Sequence, residues 1–510
     1  MSTSESSSAG PGILLVLDGW GHAPAADDNA LHLARTPVLD DLVARFPSTL
    51  AAASGEAVGL LAGTVGNSEI GHMVIGAGRP LPYDSLLVQQ AIDDGTLRTH
   101  PRLSAVLART AVAGRALHLI GLCSDGQIHA HVDHLGDLLA AASAHQVGRV
   151  FIHAITDGRD VADGTASVYL ERVAALADQA GTGQIATVIG RGYALDKAGN
   201  LDLTAQAVAL VADGRGAAVD NVRQAVAASE RGDEWVPASV LTDTRHAVIA
   251  DGDAVVWFNF RSDRIQQFAD GLIEYLAASG RSADMLSLAQ YDTRAAIPAL
   301  VERADASGGL ADELAAAGLR SVRIAEAEKF EHVTYYVNGR DATARSVEEH
   351  VRITGEGTSD YIARPQMHLD RVTTAVVEAA GRPDVDLVIA NLANMDVVGH
   401  TGHLTATVTA CEVTDTAVGL ILDAARDSGR WLLAVGDHGN AESMTKEAPD
   451  GTARPYGGHT THPVPLVIVP GTATPAPVLP ETATLADVAP TVLHLLGHKP
   501  GSAMTGRPLL

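Results

Sequence analysis

Asp18, Asp396, His400, Asp437, His438 and His459 fall in four short segments: LDGWG (17–21), DVVGH (396–400), GDHGN (436–440) and GGHTTHPVP (457–465). Three carboxylates and three imidazoles with no thiolate suit two divalent ions such as Mn²⁺ or Zn²⁺. Two ions can hold both the attacking and the leaving oxygen of a phosphoryl transfer. The segment GNSEIGH (66–72) adds a nucleophile, Ser68, between glycines that let the backbone come close to a phosphate or a metal. A serine hydroxyl is a poor nucleophile at neutral pH, and direct coordination to a metal is one of the few ways to activate it. Taken singly, each segment has an ordinary explanation as a turn, a helix cap or a loop histidine. Their joint occurrence is what points to a metal-activated serine.

These residues need a scaffold that delivers them to one place. Short apolar runs at 13–17, 117–120, 150–155, 186–189, 255–258, 387–390 and 432–435 alternate with helical patterns, which predicts α/β units on a largely parallel sheet. Asp18, Asp157, Arg191, Arg261 and the pair Asp437-His438 each follow such a run, at the carboxyl ends where open α/β sheets bind ligands. One helix start is legible at Thr36-Pro37, with Leu39, Leu42, Val43 and Phe46 at helical spacing. No repeat of fixed period is present, which argues against a solenoid or propeller.

Bulk composition narrows the function classes. The 510 residues are too many for one core, so two domains or one domain with a large insertion are expected. A net charge of −25 argues against nucleic acid and against anionic membranes, so an anionic substrate needs a local cluster of Arg and Lys. Cys123 and Cys411 are too few for a disulfide framework and are expected to be buried thiols. The Ser-rich opening has no basic residue, and the run 13–17 is too short for a signal or a membrane span. A cytoplasmic monomer is therefore the expectation, with disorder confined to the N-terminus.

The ordered motifs resemble the cofactor-independent phosphoglycerate mutase family, a branch of the alkaline phosphatase superfamily. They include LDGWG, GNSEIGH, IGAGR (75–79), SDGQIHAH (124–131), DGRD (157–160), NFRSDR (259–264), RIAEAEKFEHVT (323–334), DVVGHTG (396–402), DHGNAE (437–442) and LADVAPTVL (485–493). The resemblance implies an alkaline-phosphatase-like, metal-binding domain split over 1–82 and 305–510, with an α/β transferase domain inserted at 83–304. It implies one ion held by Asp396, His400 and His459 and a second held by Asp18, Ser68, Asp437 and His438, with Mn²⁺ expected. It also implies a substrate shell of His129, Arg159, Asp160, Arg191, Arg261, Arg264 and Lys329. In the implied reaction Ser68 takes the phosphoryl group of 3-phosphoglycerate, aided by Lys329. Asp160 handles the glycerate hydroxyl protons, and a closed cleft excludes water while glycerate turns and takes the group back as 2-phosphoglycerate.

Some positions depart from the family pattern. Lys197 stands where a second arginine is usual, replacing a planar fork by a point charge. LDL (201–203) replaces a Trp-Asp-Arg, LAGTV (61–65) precedes the nucleophile, a Ser-Pro-Lys-Val stretch is missing near 355–361, and His462 stands where Asn is usual. Changes gathered around substrate recognition leave open a paralogue that moves a phosphoryl or phosphonyl group from another donor to a glycerate-type acceptor in phosphonate metabolism. A simple metallophosphatase would share the ions and the serine but would not need the arginines of the inserted region. A non-catalytic binding protein should have lost a ligand or the nucleophile, and none is lost.

Overall fold

A computed structural model of the chain describes residues 10–196, 199–355, 360–447, 452–471 and 478–510. The Ser-rich opening, Lys197 and part of the departing stretch at 355–361 (356–359) lie outside the described residues. The chain divides into two compact units, one made of Met1–Pro82 with Asp305–Leu510 and the other of Tyr83–Ala304.

The first unit is built on an eight-stranded sheet. Its order is Glu348–Ile353, Ser321–Glu326, Leu387–Leu392, Gly12–Leu17, Trp431–Gly436, Val464–Val469, Ser48–Ala52, Thr482–Thr484. The first five strands are mutually parallel, and Val464–Val469 runs antiparallel to both of its neighbours. Gly12–Leu17 is buried along its whole length because both faces are covered. Ile13, Leu15 and Leu17 join one core with Val372, Val376, Val418 and Ile421 of the helices Leu369–Ala380 and Leu404–Asp427. The alternation of period two sends Leu14 and Val16 to the opposite face. Leu404–Asp427 is long and apolar enough to span a membrane by length and composition, but Cys411, Val418 and Ile421 are spent on this core.

Helix Pro37–Arg45 starts where expected, with Pro at its first position. Thr36 makes no side-chain capping bond there, and Val43 is 44% exposed, so only Leu39 and Leu42 bury the helix. Phe46 lies just past the helix end, at the C-cap.

Strand Ser321–Glu326 ends in a buried carboxyl. Burial, reinforced by Glu328 and Asp370, raises the Glu326 carboxyl from 4.5 to about 7, although the His368 N–H donates to it. A raised pKa means that the folded state holds a proton the unfolded chain has released. This stabilisation is complete below pH 4.5 and is lost as the pH rises through 7. Glu326→Gln keeps the acceptor for His368 and should remove that loss. It should raise stability at pH 8 by about 3 kcal/mol and change it by less than about 1 kcal/mol at pH 5, measured by urea unfolding at both pH values.

The second unit carries its own eight-stranded sheet, ordered Ala299–Val301, Ala283–Ala289, Asp253–Trp257, Ala116–Leu122, Arg149–Thr156, Gln184–Gly190, Ser239–Leu241, Ala217–Val219. All its pairs are parallel except Gln184–Gly190 with Ser239–Leu241. Leu117, Leu119, Ile152 and Val256 face one core, and Ile120, Leu122, Ile155 and Trp257 the other. From Ala116–Leu122 the chain builds strands on one side, Ser239–Leu241 slotting between Gln184–Gly190 and the edge strand Ala217–Val219, then returns to Asp253–Trp257 and adds strands on the other. The carboxyl ends of these two neighbours therefore mark the topological switch point, where such sheets open a ligand crevice.

Candidate active site

Four adjacent parallel strands of the first unit end in functional side chains. Lys329 follows Ser321–Glu326 on a single 3-10 turn, Asp396 lies in the helix Asn394–Gly399 after Leu387–Leu392, Asp18 follows Gly12–Leu17, and Asp437-His438 follows Trp431–Gly436. His459 reaches the same edge because Val464–Val469 runs antiparallel, which sets its amino end beside the carboxyl end of Trp431–Gly436. Ser68 is the first residue of the helix Ser68–Ala77, and the Asn67 side chain caps that helix by accepting from the Ile70 N–H at 3.0 Å. The helix lies against the Asp437 strand end at Gly71, where a Cβ would come within 2.6 Å of the Asp437 carbonyl oxygen. Ser68 Oγ thus sits at the positive end of a helix dipole, which favours a phosphorylated state.

The serine is tightly surrounded. Its Oγ donates to Asp18 Oδ1 at 3.1 Å, lies 2.9 Å from His438 Nε2, and accepts from Lys329 Nζ at 2.6 Å. Lys329 Nζ also donates to Asp18 Oδ1 at 2.8 Å and to Asp396 Oδ2 at 2.6 Å. Burial opposes all these charges, yet the lysine holds both carboxyls well below the usual range, and the three aspartates raise the lysine. Burial also opposes charge on His438, but Asp437, Asp18 and Asp396 push it up to about 9.

Two groups of ligand atoms converge, Asp18 with Asp437 and His438, and Asp396 with His438 and His459. His400 adjoins the second group, its Nε2 lying 3.3 Å from Asp396 Oδ1 and 3.2 Å from His459 Nε2. His438 stands between the groups, at 3.4 Å from Asp18 Oδ1 and 3.7 Å from Asp396 Oδ1, instead of beside one alone. The donor set fits divalent cations. His400 Nδ1 donates to the Gly457 carbonyl at 2.7 Å and His459 Nδ1 to the Gly66 carbonyl at 2.9 Å. Those bonds turn the two Nε2 lone pairs toward each other, a repulsion that a shared cation or proton removes. Asp437 Oδ2, fully buried, makes no hydrogen bond.

Residues behind the ligands escaped the sequence reading. Asn391 Nδ2 donates to Asp18 Oδ2 at 2.7 Å and to His72 Nε2 at 3.0 Å, while His72 Nδ1 donates to the Ser68 carbonyl at 2.8 Å. Asn440 Nδ2 donates to Asp396 Oδ1 at 3.4 Å, and the Asn440 N–H is held by Glu442. Signals for two of them were present: Asn391 interrupts an apolar strand, and His72 lies one helical turn after Ser68.

In the second unit the remaining candidates gather at the switch point. The Phe260 and Arg261 N–H groups donate to the His129 carbonyl at 2.9 and 3.2 Å, joining the loops that follow the two central strands. Asp157 Oδ1 accepts from the N–H groups of Arg159 and Asp160 and from Arg191 Nη1 at 2.6 Å, and its Oδ2 accepts from Ser124. Arg191, almost wholly buried, also pairs with Asp160 Oδ2 at 2.7 Å. His129 Nε2 is 3.9 Å from that oxygen, and Arg261 Nε is 3.0 Å from Asp263 Oδ1. Burial, with the Asp157 charge, raises the Asp160 carboxyl against the pull of Arg191 and Arg264. Arg159 is half exposed and pairs with Glu234.

The fold and its paired ligand clusters define a metalloenzyme, and residues 10–500 match the Metalloenzyme superfamily model. The chain is 80% identical over 511 residues, spanning all of both chains, to the 2,3-bisphosphoglycerate-independent phosphoglycerate mutase of Streptomyces coelicolor. It is 38% identical over 519 residues to that of Synechococcus elongatus, covering 99% of this chain and 96% of the relative. A crystal structure of Leishmania mexicana phosphoglycerate mutase at low cobalt concentration superposes with a TM-score of 0.75 at 26% identity, covering 98% of this chain and 97% of that one. The chain belongs to the 2,3-bisphosphoglycerate-independent phosphoglycerate mutase family.

Proposed function

We propose that the chain interconverts 3-phosphoglycerate and 2-phosphoglycerate through a phosphoserine at Ser68, as a monomeric cytoplasmic enzyme that uses manganese. The observation that carries this reading is a serine at a helix N-terminus with Asp18, His438 and Lys329 all within 3.1 Å of its hydroxyl. A manganese pair suits the carboxylate and imidazole donors of Asp18, Asp396, His400, Asp437, His438 and His459, all supplied by one chain. Buried free thiols at Cys123 and Cys411 suit a reducing compartment.

Asp18, Asp437 and His438, and Asp396, His400 and His459, would hold divalent cations that, when bound, would lower the pKa of the Ser68 hydroxyl and offset charge on the phosphoryl oxygens. Ser68 Oγ attacks phosphorus in line, the bond from phosphorus to the C3 oxygen breaks, and glycerate is left beside a phosphoserine. The Lys329 ammonium adds positive charge to the same oxygens. Arg191, Arg261, Arg264 and Arg159, with His129 and by its sequence position Lys197, hold the glycerate carboxylate and hydroxyls. Asp160, its carboxyl raised by burial, gives a proton to the departing oxygen and takes one from the C2 hydroxyl before that oxygen attacks the phosphoserine.

Phosphorus NMR of the metal-loaded protein with 3-phosphoglycerate alone should show the 2-phosphoglycerate resonance growing to equilibrium. Free phosphate as the main product would replace this reading by a phosphatase. Turnover only with a second phosphoryl or phosphonyl donor would replace it by the phosphonate paralogue, for which no comparison speaks.

A further inference from the structure

Of the arginines gathered in the second unit, Arg191 is fixed by two carboxylates at its buried end, whereas Arg159 has a side chain 49% exposed. A long side chain so exposed loses much rotamer freedom when it binds a ligand, unless something holds it beforehand. Glu234 is that something: its Oε1 accepts from Arg159 Nη2. A pairing through one terminal nitrogen leaves the other N–H groups of the guanidinium to face an anion.

Glu234 stands on a short turn, Asp233–Trp235, that is tied to its surroundings on every side. Thr156 Oγ1, just ahead of Asp157, donates to the Asp233 carbonyl at 2.6 Å. The Asp233 carboxylate accepts from the Ala166 N–H at 2.9 Å, and the Asp233 N–H donates to Asp163 Oδ1 at 2.7 Å. Trp235 lies under the Arg231 guanidinium at 3.9 Å and meets the edge of Tyr193, two residues after Arg191. Gly190, which immediately precedes Arg191, admits the turn so closely that a Cβ there would come within 2.3 Å of the Glu234 carbonyl oxygen. One turn therefore sets the spacing between the loop that carries Arg159 and the helix start that carries Arg191.

We infer that Glu234 is a positioning residue, holding the Arg159 guanidinium ready for the anionic end of the substrate while its own turn braces Arg191. The inference rests on the proposed mutase reading, since it takes phosphoglycerate as the ligand. An isolated pair this exposed adds little to fold stability, so its effect should fall on binding.

The test is a double-mutant cycle on the metal-loaded enzyme with 3-phosphoglycerate as the probe. Glu234→Ala should raise KM about 5- to 20-fold with kcat changed less than about 3-fold. Glu234→Gln, which keeps an acceptor, should recover part of that loss, and melting temperature should move by less than about 3 °C in both. In an Arg159→Ala background, Glu234→Ala should add less than about 2-fold. An unchanged KM, or effects that multiply independently, would overturn the inference while normal wild-type turnover leaves the mutase reading standing. A wild type inert toward 3-phosphoglycerate would overturn both.

Discussion

Ser68→Ala should abolish phosphoglycerate interconversion, with a loss of about 10⁴-fold or more, while fold and metal content stay close to wild type. The hydroxyl lies among Asp18, His438 and Lys329, and the dipole of its helix favours a phosphorylated product. Removing one oxygen leaves the Asp18, Asp437, His438 group and the Asp396, His438, His459 group untouched. Circular dichroism and metal analysis should therefore match wild type. Mass spectrometry of wild type quenched during turnover should find phosphate on Ser68, and phosphate found on a histidine instead would refute the nucleophile.

Metal-free protein should be inactive, and manganese should restore turnover after the chelator is removed. Three buried carboxylates face one buried ammonium, so the site without cations keeps an excess of negative charge. Part of that excess is met by protons, above all on His438, which its carboxylate neighbours push up to about 9. A metal needs the neutral ring, so binding must expel that proton. Apparent metal affinity should rise with pH through about 9, where half of the rings have lost the proton, and should level off above it once the ring is neutral. Calorimetric titration of apoprotein at pH 6, 7.5 and 9 reads this directly. Undiminished turnover in excess chelator, with metal content below stoichiometric, would sink the two-ion reading.

The fold class and the family were legible because their marks are local. Runs such as 13–17 and 432–435 are apolar because their strands are covered on both faces, and Asp18 and Asp437 are conspicuous because they follow those runs at once. What stayed hidden depends on distant partners. Ser321–Glu326 gave no strand signal because Arg323 and Glu326 interrupt it, and only tertiary packing shows that both are buried. Glu234 looked like one acid among many, since its meaning comes from Arg159, which lies far off in sequence. The resemblance places His438 with Asp18 and Asp437, and that its ring also neighbours Asp396 and His459 is something spacing along the chain cannot express.

The order of strands in the first unit also sets a timetable for synthesis. The second unit is contiguous, so all of its sheet is available once Ala304 has left the ribosome. Gly12–Leu17, made near the beginning, pairs with Leu387–Leu392 and Trp431–Gly436, and it has neither neighbour until most of the chain exists. Pairings of such long sequence separation form late and slowly. The nascent protein thus keeps an apolar strand without its neighbours through most of translation, and it cannot bring Asp396, His438 and His459 together before His459 emerges. Ribosome-bound chains stopped short of that residue should already resist proteolysis in 83–304 while 10–82 is still cut.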